Sequence, residues 1–209
     1  MPDTATLLAF ALASFVLIVV PGPTITLVIV RSLAEGRRAA LPLAGGVAMG
    51  DFVAAGLSLA GVGALLAASA TLFTIVKWVG AAYLVWLAVR LWRAPVLAAD
   101  EPVEPIAAST GWRAFRDAFL VTVFNPKGIV FFIAFVPQFI DPALPYAFQA
   151  VLFVGLFTVI GALNVLGYAF GADRLRGVIR RPRVLRTMTR SGAAMIGGAG
   201  VATLFASRA

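Results

Sequence analysis

Six apolar runs constrain this chain more than any other feature. They cover residues 5–30, 41–66, 73–92, 115–139, 146–170 and 191–205, each long enough, or nearly so, to cross a hydrocarbon core of roughly 30 Å. A soluble domain this apolar would lack the polar surface to cover its core, whereas a bilayer removes that requirement. Composition agrees: 61% of the 209 residues are hydrophobic and 12% charged, with a mean hydropathy of +0.99. The expected fold class is an all-α membrane protein of six transmembrane helices, the last of them short and glycine-rich. Met1-Pro2-Asp3-Thr4 carries no basic region, and the run that follows is too long for the apolar stretch of a signal peptide. The first helix is therefore expected to be retained.

The chain has no cysteine and no histidine. Disulfides, thiol catalysis, histidine bases and Cys/His metal sites are thereby excluded, and no cofactor is expected. The net charge of +8 does not point to nucleic acid, because the basic residues sit in loops between apolar runs and not on one folded surface. They alternate. Arg31, Arg37 and Arg38 follow the first run and none follows the second, while Arg90, Arg93, Arg113 and Arg116 surround the third loop. None lies between runs four and five, and seven arginines from Arg174 to Arg190 lie between runs five and six. By the positive-inside rule the odd loops are cytoplasmic and both termini periplasmic, in a multi-pass protein of the bacterial inner membrane.

Residues 94–110, with Pro95, Pro102, Pro105 and three acidic residues, form the one obvious linker. The expected division within a single transporter domain is residues 1–93 for a first repeat, 94–113 for the linker and 114–209 for a second repeat. Three helices per half is an odd number, so related halves must be inserted in opposite orientations. Each half also opens on an interrupted helix: the first at Pro21-Gly22-Pro23, the fourth at Asn125-Pro126-Lys127-Gly128. Two prolines or a proline beside glycine break the helical ladder, and backbone freed at membrane depth must be satisfied by protein or by water in a cavity. Breaks in corresponding positions point to a site between the halves. The plainer reading of either break alone is an ordinary proline kink.

Asp51 lies about 15 Å into the second run at 1.5 Å per residue, where a carboxylate costs roughly 2.5–3.5 kcal/mol. It is expected to bind a substrate ammonium, to carry a coupling proton, or to do both in turn; the alternative is a structural ion pair with Lys127. Lys127 lies about 18 Å along the fourth run, too deep for simple snorkelling. Lys77, by contrast, sits where its stem reaches the interface. Asn164 and Gln138 are weaker candidates, since a lone amide in a membrane helix usually bonds a neighbouring helix. Gly46 with Gly50, and Gly167 with Gly171, have the spacing of packing seams.

These motifs, in this order, resemble the LysE/RhtB family of bacterial amino-acid exporters: Pro21-Gly22-Pro23, Gly36-Arg37-Arg38-Ala39, Gly46 with Gly50-Asp51, Asn125-Pro126-Lys127, and Pro137-Gln138-Phe139-Ile140. The similarity spans nearly the whole chain. It implies a six-helix exporter of amino acids driven by the proton-motive force, with Pro21, Gly22, Pro23, Gly50, Asp51, Asn125, Pro126 and Lys127 at the matching positions.

The residues themselves fit that class. A zwitterionic amino acid needs a carboxylate for its ammonium, which Asp51 offers, and an anion site. Pro23, suited to the first turn of a restarted helix, leaves the following amides free for a carboxylate, with Lys127 as a second partner. Thr24 and Asn164 complete the expected substrate-binding set. With so few acids at membrane depth, a neutral cargo such as homoserine, threonine or leucine is favoured over a basic one. The expected partners are an amino acid, protons and the lipid bilayer, with a homo-oligomer left open. An enzyme is disfavoured, because one deep carboxylate without histidine or cysteine equips few reactions. Export of a divalent cation or another small solute is the alternative, although divalent cations usually demand clustered carboxylates or histidines.

Overall fold

The computed structural model describes residues 1–20, 22–93 and 111–179, together with 186, 187, 190, 191, 193, 194, 197, 198 and 201. Among them every regular element is helical. Asp3 opens α1 (Thr4–Val19), where its carboxylate accepts from the Thr6 amide at 2.7 Å and the Thr6 hydroxyl at 3.1 Å. This satisfies a first-turn donor, and those bonds, the amide foremost, hold the Asp3 carboxyl below the usual carboxylate range.

The chain restarts as α2 (Pro23–Glu35), with Gly22 as N-cap and Pro23 at the first helical position, where its missing amide is no loss. The axes of α1 and α2 are bent by 60°. Gly36, at φ +68°, ends α2 in a conformation that a side chain would resist. A 3₁₀ turn over Gly36–Ala39 then leads into α3 (Ala40–Ala68), followed by α4 (Ala70–Arg93).

The second interrupted helix consists of α5 (Gly111–Val123) and α6 (Pro126–Val130), and the stretch Pro126–Phe139 that α6 opens is bent by 43° from α5. Asn125 caps α6 by accepting from the Lys127 amide at 3.1 Å. Beyond Val130 the chain passes through a π-helical turn, Phe131–Phe135, and a 3₁₀ turn, Val136–Phe139. The long α7 (Tyr146–Ile179) follows.

Runs two, three and five are thus single helices, and runs one and four are broken as their prolines lead one to expect. Gly36–Leu65 and Tyr146–Gly171 are long and apolar enough to cross a membrane, and counting each bent pair as one span gives up to four among the described residues. The sixth run falls largely outside those residues, as does the linker at 94–110. Residues 111–113, expected as linker, are helical.

Arg31, counted above with the first loop, is instead inside α2 and only 7% exposed. Its guanidinium donates to Glu35 at 2.8 Å and to Asp117 of α5, which also accepts from Arg116. A buried guanidinium demands paired carboxylates, and here two helices supply them.

Two clusters make the core. One is aromatic, where Phe10 of α1 meets Phe153 of α7 at 4.6 Å and Phe132 meets Phe157 edge-on at 4.8 Å. The other is built from small residues, Ala44, Ala114, Ala118 and Ala169 among them, with Val28 and Leu43. The small residues let α3 and α5 approach closely. A Cβ on Gly50 would stand 2.7 Å from the Thr122 Cβ, and one on Gly46 would strike the Phe115 carbonyl. Gly46 and Gly50 are therefore the expected seam. Gly167 is not part of one among the described residues, since a Cβ there would come within 4 Å of none of them.

Candidate functional site

Between the aromatic and the small-residue cluster lies a cavity with about 570 Å³ of empty space, its mouth included. Both breaks border it. Gly22 and Thr24 come from the first, and Asn125, Lys127 and Gly128 from the second.

The breaks are tied directly to each other. The Asn125 amide donates to the Thr24 hydroxyl at 3.2 Å, and the Thr24 and Thr122 hydroxyls are 3.4 Å apart. The Lys127 ammonium donates to the carbonyls of Leu17 and Val20 at 2.9 and 3.0 Å. Those carbonyls belong to the last turn of α1, which the break deprives of helical partners and which carries the negative end of the helix dipole. Tyr168 of α7 completes the cap by donating to the Val19 carbonyl at 3.2 Å. A lysine from the second break thus closes the helix end that the first break opens.

Asp51 faces the cavity from α3. Among the described residues it makes no hydrogen bond and no ion pair, so the alternative reading, a structural ion pair with Lys127, is not formed. Its carboxylate rests against the backbone of α7 at Gly161, where an added Cβ would lie 2.5 Å from Oδ2. The other wall is apolar, with Ile18, Ala54, Phe132, Phe157 and Val165.

Of the residues selected from sequence, Gly22, Thr24, Asp51, Asn125 and Lys127 come together around the cavity. Pro23 and Pro126 start the restarted helices and are exposed outside the lining. Gly50 supports the wall from behind, against Thr122. Asn164 does not line the cavity; its Oδ1 is buried without a hydrogen-bond partner among the described residues. Pro21 and the side chain of Lys77 lie outside the described residues. Sequence reasoning missed Thr122, although it stands one helical turn before Asn125, and it missed Gly161, which no local signal marks.

Chemically, among the described residues the cavity presents one carboxyl group without a hydrogen-bond partner and several donors with N–H or O–H groups to spare. Lys127 uses two of its three N–H groups, and Asn125 one of the two on its amide. Whichever of Thr24 and Thr122 donates to the other, one hydroxyl proton is left over among the described residues.

Residues 15–207 match the family described as LysE type translocator. The chain is 37% identical over 197 residues to an uncharacterized membrane protein of Vibrio cholerae, covering 93% of this chain and 94% of the relative. It is 35% identical over 184 residues to a homoserine/homoserine lactone efflux protein of Salmonella typhimurium, covering 88% of each. A leucine efflux protein of the same organism is 30% identical over 165 residues, 77% of this chain and 73% of the relative. No solved structure matches the chain.

Proposed function

The chain belongs to the LysE type translocator family of membrane proteins, and from that premise we propose that it exports a small neutral amino acid from the cytoplasm in exchange for protons. The observation that carries this reading is the Asp51 carboxylate, left without a protein partner among the described residues and open to a cavity otherwise lined by donors and apolar side chains. An ammonium on Asp51 would leave the cargo carboxylate to the spare hydroxyl proton of the Thr24–Thr122 pair, the Asn125 amide and the first-turn amides of α2. Its side chain would then meet Ile18, Ala54 and Val165.

A basic side chain would bring a second cation that no further lining carboxylate among the described residues can pair, and an unpaired charge is costly at this depth. The relatives' names, homoserine and leucine efflux, agree with a neutral cargo. When the cargo leaves, a proton on Asp51 neutralises the same carboxylate for the return step. We place the protein in the bacterial inner membrane with both termini periplasmic, so that the arginine-rich loops face the cytoplasm.

Proteoliposomes holding the purified protein and radiolabelled amino acids test this. An imposed proton gradient should drive homoserine, threonine or leucine, and should not drive lysine or arginine. Gradient-driven flux of lysine equal to that of the neutral amino acids would contradict the reading.

A further inference from the structure

We propose that Gly161 is a positioning residue for Asp51: its missing side chain is the notch that keeps the carboxylate seated against α7 and open to cargo. The inference rests on the export reading above and extends it to a residue on another helix.

The argument begins with space. A Cβ on Gly161 would lie 2.5 Å from the Asp51 Oδ2, 3.7 Å from its Cγ and 4.0 Å from the Ile18 Cδ1. Side-chain carbons essentially never approach an oxygen that closely, so alanine at 161 and the present carboxylate position exclude each other. Gly161 is buried, in the middle of a 34-residue helix, so its own backbone has little freedom to yield. The carboxylate has to move.

The second step is where it would go. Nothing among the described residues holds Asp51 by a hydrogen bond, so no bond resists the displacement. The opposite charge bordering the same cavity is Lys127, kept off Asp51 by its two bonds to the α1 carbonyls. Opposite charges bordering one cavity attract, and a carboxylate expelled from the notch would be drawn toward the lysine. The resulting ion pair would occupy the place of the cargo ammonium. Glycine at 161 therefore complements the α1 carbonyls: they hold the cation in place, and it leaves the carboxylate room to lie away from that cation. Holding a binding group in its productive place is what separates a competent site from one that merely contains the right residues.

The test compares Gly161→Ala and Asp51→Asn with the unmodified protein in proteoliposomes, measuring KM and kcat for leucine and homoserine flux against pH. Gly161→Ala should raise KM by about tenfold or more, lower kcat less, and displace the pH profile, with the melting temperature in detergent nearly unchanged. An unchanged KM and pH profile beside a lost Asp51→Asn activity would overturn the notch and leave the export reading standing. Full activity of Asp51→Asn would instead remove the reading on which the notch depends. If Gly161→Ala does not accumulate, Asp51→Gly is added to remove the opposed carboxylate. Recovered accumulation then supports the notch, and continued failure overturns it.

Discussion

Lys127 shows how a residue's placement decides its chemistry. In sequence it is a deep cation and a natural partner for a substrate carboxylate or for Asp51. In the structure two of its three protons go to the Leu17 and Val20 carbonyls, closing the end of α1 across the gap between the two breaks. Lys127→Met should therefore destabilise the protein even though it removes a charge from an apolar medium. Each carbonyl left without a partner costs about 1–3 kcal/mol, so a loss of about 2 kcal/mol or more is expected. Thermal unfolding in detergent measures it, and an unchanged or raised melting temperature would show that the cap contributes nothing. Asp51 is the converse case. Its depth and isolation are legible in the sequence, but its freedom from Lys127 is not, because that freedom depends on two other elements: α1 holding the lysine, and α7 meeting α3 at Gly161.

At the scale of elements, the sequence marks breaks better than contacts. Proline at the first position of α2 and of α6 is a local constraint, so both interruptions can be read from Pro23 and Pro126 alone. The 3₁₀ turn Val136–Phe139 carries the same sign in Pro137, but the π turn before it, Phe131–Phe135, carries none. Its five phenylalanine-rich residues wind as a π turn in a packed aromatic setting that the apolar pattern does not distinguish from ordinary helix. The same limit applies to arginine: Arg31 looks like a loop residue until Asp117, 86 positions away, is found beside it. Small-residue spacing was half informative. Gly46 and Gly50 form the α3–α5 seam, and Gly167 meets no neighbour among the described residues, because the spacing says nothing about which face meets one. Gly46→Leu should thus overpack the seam, costing about 1–3 kcal/mol, whereas Gly167→Leu should leave stability nearly unchanged. Equal effects of the two changes on the melting temperature would refute this assignment of faces.

For the whole molecule, charge bias orients what packing alone cannot. In the orientation proposed above, the part of the molecule bearing Arg31, Arg37 and Arg38 faces the cytoplasm, and cargo entering from that side would meet Asp51 before the phenylalanine cluster. Single cysteines introduced into this cysteine-free chain check the orientation: position 37 should react with an impermeant thiol reagent only after the cells are opened, and position 143 in intact cells. The reverse pattern would invert the account. The central claim is that Asp51 works in transport and not as a structural partner of Lys127. Proton-driven amino-acid flux in proteoliposomes, measured for Asp51→Asn and for Asp51→Asn combined with Lys127→Met, tests it most directly. The account predicts that the single variant folds but loses coupled export, and that the double variant does not recover it, since the α1 cap is lost as well. Full coupled export by the double variant would contradict it.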